Sequence, residues 1–527
     1  MDANQLGLDG WSIAPEITLW VFACIALLIE WLRPRQWKAF SAEATATTGL
    51  VIALALSILP VGGTPHLAFH DMIASDPPGC FFRSLCILSS LILIPSSWRY
   101  FSKRPNRSEF CALLLLATSG MTLLVASMDL VMLFLSLEFL SITSYVLVGY
   151  LKGSRRSTEA AVKYFLFGSI CSALMLYGMS LIYGITGSTN FHFIQNHPPS
   201  LPIGSGLEVL MVVTFFAGIG FKISMWPFHM WAPDAYEGAP TPVTAFLSVG
   251  PKIAGIAVFV RVAQTMFHGQ EVWPLVLEIV AIITMTWGNL AALGQSNVKR
   301  MLAYSSIAQA GYLLVGVICL DMEMKGGNVH LLSAFQNYAL PSVLIYSLAY
   351  LVMNLGAFIV TIEVERVAGT SEISGFAGLA ERSPGLAAAM TIFLLGLAGI
   401  PLTAGFIGKL YLFGSAVAWA TYGGSSATIL WLVAGVGVGT SVISVYYYFR
   451  VVQPIWLGAA TETGRTFEGG APERVAGLLA ILTLALGIFG QLLVRPATMM
   501  DDILTTRAPQ VGRPSAIIAE VPVVARQ

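Results

Sequence analysis

Four charged residues stand where charge is expensive. Glu138 lies in Asp129-Leu-Val-Met-Leu-Phe-Leu-Ser-Leu-Glu-Phe-Leu140, near the middle of an apolar run, and Lys222, Lys252 and Lys409 lie in three other such runs. A lysine at the centre of a membrane helix costs roughly 2.5–3.5 kcal/mol. Three of them cost roughly 8–10 kcal/mol, which rivals the roughly 5–15 kcal/mol that holds a whole domain together. Such groups need carboxylate or water partners, or must give up their charge. A carboxylate and an amine whose attraction competes with desolvation make a switchable proton site, because withdrawing the lysine lets the carboxylate protonate. Glu138, Lys222, Lys252 and Lys409 are therefore read as a proton path in preference to structural ion pairs.

Other candidates are weaker. Lys163 follows Glu159 by one turn near the start of the sixth apolar run, where an i,i+4 pair is usually local. His229, in Trp226-Pro-Phe-His-Met-Trp231, is placed to relay protons or to sit at the membrane interface. Arg261 is expected to snorkel to water from the outer end of its run. Glu278 stands less than two turns into the ninth run. Asp234 and Glu237 form an acidic loop and are expected to shape the turn. The six cysteines show no C-x-x-C spacing, so no zinc or iron–sulfur motif is present. There is no Gly-rich phosphate loop and no haem ligation pattern. The chain is expected to hold no cofactor and no metal of its own.

The elements that position these residues follow from composition. Of 527 residues, 56% are hydrophobic and 11% charged, with mean hydropathy +0.76. A soluble domain carries about 25% charged residues, so a water-soluble globule and a disordered chain are both excluded. Lys plus Arg and Asp plus Glu are each 28, giving zero net charge, which disfavours a nucleic-acid partner. About fourteen apolar runs reach the roughly 20 residues that cross a bilayer. The fold class is an all-α polytopic membrane protein of about 14 transmembrane helices. The first run lacks the basic start and cleavage site of a signal peptide. Lys and Arg cluster in the odd-numbered loops, among them Arg99, Lys103, Arg104 and Arg107, and Lys152, Arg155 and Arg156. The even loops carry Lys325 and, at a helix edge, Arg83. Positive charge stays inside, so odd loops face the cytoplasm and both termini face outward.

Two runs are broken by Pro and Gly: Gly218 to Pro227 in the seventh, and Gly399-Ile-Pro-Leu-Thr-Ala-Gly-Phe-Ile-Gly-Lys409 in the twelfth. Proline removes a helix hydrogen bond and clashes with the preceding turn. The breaks lie five helices apart. Helices 4–8 and 9–13 thus form two five-helix repeats, each with a broken fourth helix carrying a lysine. Five is odd, so the second repeat runs inverted, as in transporters with sites near the midplane. Two unrelated kinks are the plainer alternative. The segments are an N-terminal three-helix region (1–107), a first repeat (108–270), a second repeat (271–452), and a last helix with a C-terminal tail (453–527). The tail after 495 is expected to be irregular.

Four stretches carry a family resemblance: Leu135-Ser-Leu-Glu-Phe-Leu140, the segment Gly220–Phe246, Asn297-Val-Lys-Arg-Met-Leu-Ala-Tyr-Ser-Ser-Ile-Ala-Gln309, and Gly399–Lys409. Together they resemble the antiporter-like membrane subunits of respiratory complex I, NADH:quinone oxidoreductase, over nearly the whole chain. Within that family the chain is similar to the N type, with Lys252 where the L and M types usually place histidine. Lys409 disfavours the M type, and the chain stops too soon after its last helix for the L type. The resemblance implies a Glu–Lys pair of helices 5 and 7 at Glu138 and Lys222, side by side. It also implies a central lysine at Lys252, an exit-half lysine at Lys409 and a helix 6 lysine at Lys163. NADH, flavin, iron–sulfur clusters and quinone are then expected on partner subunits, and neighbouring antiporter-like and quinone-module subunits are the expected partners. The implied location is the bacterial inner membrane. A subunit of a multisubunit sodium/proton antiporter is the rival reading. The stretch 62–80 and the tail after 495 match no motif.

Overall fold

The computed structural model describes residues 9–32, 38–59, 65–101, 106–198, 204–267, 272–321, 338–422, 427–459, 467 and 469–507. Within them the chain is helical apart from one antiparallel hairpin, β1 (His66–Ala68) with β2 (Ile73–Ser75), in which Leu67 pairs with Ala74. The first half contains α1 (Ala14–Leu32), α2 (Lys38–Ile58), α3 (Pro77–Phe101), α4 (Arg107–Ala126), α5 (Leu130–Val148), α6 (Arg155–Thr186), α7 (Gly206–Ile223) and α8 (Thr241–Gln264). The second contains α9 (Val272–Ala292), α10 (Val298–Ile318), α11 (Ala339–Ala368), α12 (Pro384–Ala398), α13 (Ala404–Tyr422), α14 (Ala427–Leu457), α15 (Ala471–Ile488) and α16 (Gln491–Arg507). Among the described residues, eleven helices are long and apolar enough to cross a membrane. The apolar stretches Ala14–Ile29, Ala42–Ile58 and Pro384–Ala398 are shorter than that limit.

Local chemistry sets the helix ends. The Asp129 side chain accepts from the amides of Val131 (2.8 Å) and Met132 (3.3 Å) and so starts α5. Asn297 does the same for α10 through Lys299 and Arg300. The broken seventh run stops being α-helix at Ile223, earlier than the run itself. Ser224 adopts a left-handed conformation (φ 63°), the Trp226–Pro227 peptide is cis, and a short helix resumes at Trp231–Gly238. The twelfth run splits cleanly into α12 and α13 at Gly399 (φ 86°).

Packing sorts the helices. The apolar window of α8 is buried on every side, and those of α10 and α11 nearly so, whereas only one third of the α14 window is buried. Leu135, Ile170, Trp431 and Val442 point outward. A surface this apolar matches hydrocarbon, where spanning segments must satisfy their backbone polar groups internally, as these helices do. The chain is an integral membrane protein.

Three expectations are corrected. Arg83 is buried within α3. It donates to Glu16 of α1 at 2.9 Å and to the carbonyls of Ser12 and Thr122, because a guanidinium at that depth needs acceptors for its fork of donors. Arg261 does not snorkel. It makes a two-pronged bridge to Asp76, just after the hairpin, at 2.9 and 3.0 Å. Part of the unmatched stretch 62–80 thus supplies the counter-charge for α8. The tail after 495 continues as the helix α16 to Arg507; residues 508–527 lie outside the described residues, as does Lys325.

Candidate functional site

Lys222 sits in the last turn of α7 and is 1% exposed. Its amine donates to Ser141 Oγ of α5 at 2.9 Å, and Ser141 donates onward to the Leu137 carbonyl at 2.7 Å. The amine also lies 5.9 Å over the ring of Tyr164, which stacks on Trp231. Glu138 accepts instead from Ser172 Oγ of α6 and is only half-buried. The expected side-by-side Glu138–Lys222 ion pair is therefore not formed directly. Glu138 and Ser141 are three residues apart on one helix face. Ser141 reaches the amine first, so a neutral hydroxyl stands in the ion pair's place.

Polar groups on α10 lie beside both the central and the second-half lysine. Lys252, 1% exposed, donates to the Ser306 carbonyl at 2.8 Å. On the neighbouring turns Ser305 shares a 2.5 Å hydrogen bond with Tyr448, and Gln309 donates to the Leu397 carbonyl at 3.1 Å. Tyr346 donates to Gln309 Oε1. Lys409 donates to that same Leu397 carbonyl at 2.8 Å, and to Ser441 Oγ at 2.6 Å. Its amine lies 4.8 Å from the Tyr312 ring centroid. The Tyr312 hydroxyl accepts from Asn289 (3.0 Å), and Asn289 accepts from Tyr447 (3.0 Å). On the other side, Lys222 packs against the Gly255 position, one turn from Lys252 on α8.

Ser141, Ser172, Gln309, Tyr312, Tyr346, Tyr448 and Asn289 were not singled out from the sequence. The signal was present for some of them. Polar side chains inside membrane runs are costly and face the protein interior, and Asn289, Gln309 and the Tyr446-Tyr-Tyr448 triplet all break apolar runs.

The two breaks are satisfied in different ways. After α7, the Trp231 indole donates to the Phe221 carbonyl at 3.0 Å and the Met225 amide to the Gly220 carbonyl at 2.9 Å. After α12 the free carbonyls of Leu397 and Ala398 are taken by Lys409. A cation at the negative end of a helix dipole is favourably placed.

Lys163 and His229 lie off this line. Lys163 is partly exposed and pairs with Asp234 at 2.8 Å and Glu159 at 3.0 Å. Arg300 binds Asp234 at 2.8 Å and Glu237 at 2.9 Å, so these charges line one cavity of about 250 Å³. Asp234 and Glu237 thus tie α6 to α10, beyond shaping a turn. Burial would push the Asp234 carboxyl up, but hydrogen bonds from Lys163 and Arg300 hold it below the usual carboxylate range. His229 is 2% exposed, its Nδ1 has no hydrogen-bond partner, and its ring centroid is 6.1 Å from that of Trp287. Among the described residues, no group of three or more His, Cys, Asp or Glu is arranged to hold a metal ion.

Comparison with known proteins adds the following. The family model described as NADH:quinone oxidoreductase/Mrp antiporter, TM matches residues 127–433. An NADH-quinone oxidoreductase subunit N of Anaeromyxobacter sp. (strain Fw109-5) is 41% identical over 470 residues, 84% of this chain and 87% of that protein. A chain of respiratory complex I from Thermus thermophilus with bound aureothin superposes with TM-score 0.73 and 29% identity, covering 91% of this chain and 98% of that one. A chain of the Mrp complex from Dietzia sp. DQ12-45-1b shares the fold, with TM-score 0.76 and 21% identity over 96% of this chain and 99% of its own.

Proposed function

This chain belongs to the NADH-quinone oxidoreductase subunit N family, and on that premise we propose how its buried charges serve the parent enzyme. It is a proton-translocating membrane subunit of NADH:quinone oxidoreductase and assembles with other membrane subunits of that complex. NADH, flavin, iron–sulfur clusters and quinone belong to the partner subunits. Glu138 and Lys222 act in the first half, Lys252 at the centre and Lys409 in the second half. Lys163 guards the approach from the side of Asp234, and His229 sits beside the route. The observation that carries this reading is the set of polar groups spaced along α10, from the Ser306 carbonyl that Lys252 binds to Gln309, which shares the Leu397 carbonyl with Lys409. Protons need such groups, and a purely structural bundle would avoid their cost.

The finer architecture is part of the same proposal: fourteen spans, in which α1, α2 and the broken pair α12 and α13, taken as one, join the eleven long apolar helices, and two inverted five-helix repeats divided near 108 and 271. The membrane is the bacterial inner membrane, with both termini outward. The sodium/proton antiporter reading shares the fold, but identity to subunit N is 41% against 21% for the Mrp chain. The test is purification from native membranes, followed by pumping in vesicles. Co-purification with NADH–quinone activity, and loss of pumping in Lys252→Ala, are expected. A stable active unit free of redox subunits would overturn the reading.

A further inference from the structure

Glu278 of α9 is fully buried at 0% exposure, yet neither of its carboxylate oxygens has a hydrogen-bond partner. Nearly all buried polar groups are paired. An unpaired charge in a low-dielectric interior costs several kcal/mol, so a carboxyl left like this calls for an explanation that packing does not give.

Its position suggests one. α9 and α10 run antiparallel in close contact: Gly288 meets Ala308, and Gly311 meets Met285 and Ala281. Tyr312, whose ring lies under the Lys409 amine, follows Gly311. Glu278 lies one turn beyond Ala281 towards the start of α9, and Cys319, just past the end of α10, is within its electrostatic reach. It is roughly 9 Å along the helix from Val272 and roughly 16 Å from Asn289. After Tyr312 it is the next titratable side chain on these two helices between Lys409 and the end where α9 begins. Loop charges assign that end to the outer side.

We propose that Glu278 is the proton-release carboxyl of the second half: it takes the proton leaving Lys409 and passes it to water at the outer face. The inference rests on the proposed function. The exchange balances, since ammonium and carboxylate become amine and carboxylic acid, and the acid then ionises outward. No fixed hydrogen bond holds the carboxyl in one protonation state, as a release group requires.

The experiment compares wild type, Glu278→Gln, Glu278→Asp and Lys409→Ala in the whole complex, reconstituted in vesicles. Pumping is read together with NADH–ferricyanide activity, which checks the redox module, and with covalent labelling by dicyclohexylcarbodiimide, which reacts with protonated carboxyls in apolar surroundings. Expected are labelling of Glu278 in the wild type, lost pumping with intact ferricyanide activity in Glu278→Gln, and partial recovery in Glu278→Asp. Full pumping in Glu278→Gln beside a defective Lys409→Ala would overturn the inference alone. Full pumping in Lys409→Ala would instead overturn the proton path itself. If Glu278→Gln fails to assemble, Glu278→Asp and the labelling decide: an unlabelled carboxyl together with a non-pumping Asp variant counts against release.

Discussion

The Lys409 amine binds the Leu397 carbonyl at 2.8 Å, reaching back across the helix break to an acceptor twelve residues earlier in the chain. With the Ala398 carbonyl and Ser441, that contact uses all three of its protons. The lysine thus closes the very break that its sequence creates, and its protonation is tied to the geometry of that break.

Lys409→Ala should abolish or strongly reduce pumping. It should also cost stability, because each carbonyl loses a charged donor and keeps only a neutral one, Gln309 at Leu397 and the Ser441 hydroxyl at Ala398, and a hydrogen bond to a charged group is worth about 1.5–3 kcal/mol. Lys409→Arg should preserve assembly but not pumping, since a guanidinium scarcely deprotonates. Vesicle acidification and thermal unfolding of the isolated complex separate the two effects. Full pumping in an assembled Lys409→Ala complex would remove this residue from the path.

Ser141 holds the Lys222 amine while Ser172 holds Glu138, so removing the Ser141 hydroxyl tests whether that contact serves proton transfer. Ser141→Ala should slow proton transfer without preventing assembly. Glu138→Gln combined with Lys222→Ala should lose less than the sum of the single losses, with a coupling of roughly 0.5–3 kcal/mol. Strictly additive pumping rates in that cycle would show that the two charges act independently.

The Arg83–Glu16 bridge is buried, with side chains 4% and 0% exposed. Removing one partner leaves an uncompensated charge and should destabilise by roughly 3–5 kcal/mol. Glu16→Gln with Arg83→Met should be milder than Arg83→Met alone. Unfolding temperatures of these two variants give the answer, and equal losses in both would contradict it.

Asp234 gives a pH dependence with a definite sign. Its carboxyl is held below the usual range by Lys163 and Arg300, so the tie between α6 and α10 is present above that range. It is lost as pH falls through the lowered folded-state value. Asp234→Asn should remove this acid-side loss. Thermal stability of both forms measured down the acid range tests it, and identical profiles would exclude the role.

Orientation is tested at Arg155. A single cysteine there should react with an impermeant label only from the cytoplasmic side. Labelling from outside intact cells would reverse the assignment of the termini.

The sequence by itself determined the membrane class, the places where helices break, and the identity of the costly charges. The hydrophobic run length, the prolines and the lysines are local facts, and the bilayer penalises each of them separately. Arg261 and Glu138 show where that reasoning stops. Arg261 is read from its nearness to a helix end, and Glu138 from its mid-run position and the family resemblance. Their real environments come from Asp76, 185 residues away, and from Ser172, 34 residues away. The polar run through Gln309, Tyr448 and Leu397 joins α10, α14 and α12, and no spacing along one helix reports it. Which neutral group intercepts a charge depends on how helices from distant parts of the chain are packed together. Only the tertiary structure decided that Ser141 and not Glu138 receives the Lys222 amine, and that Glu278 is left buried with no partner.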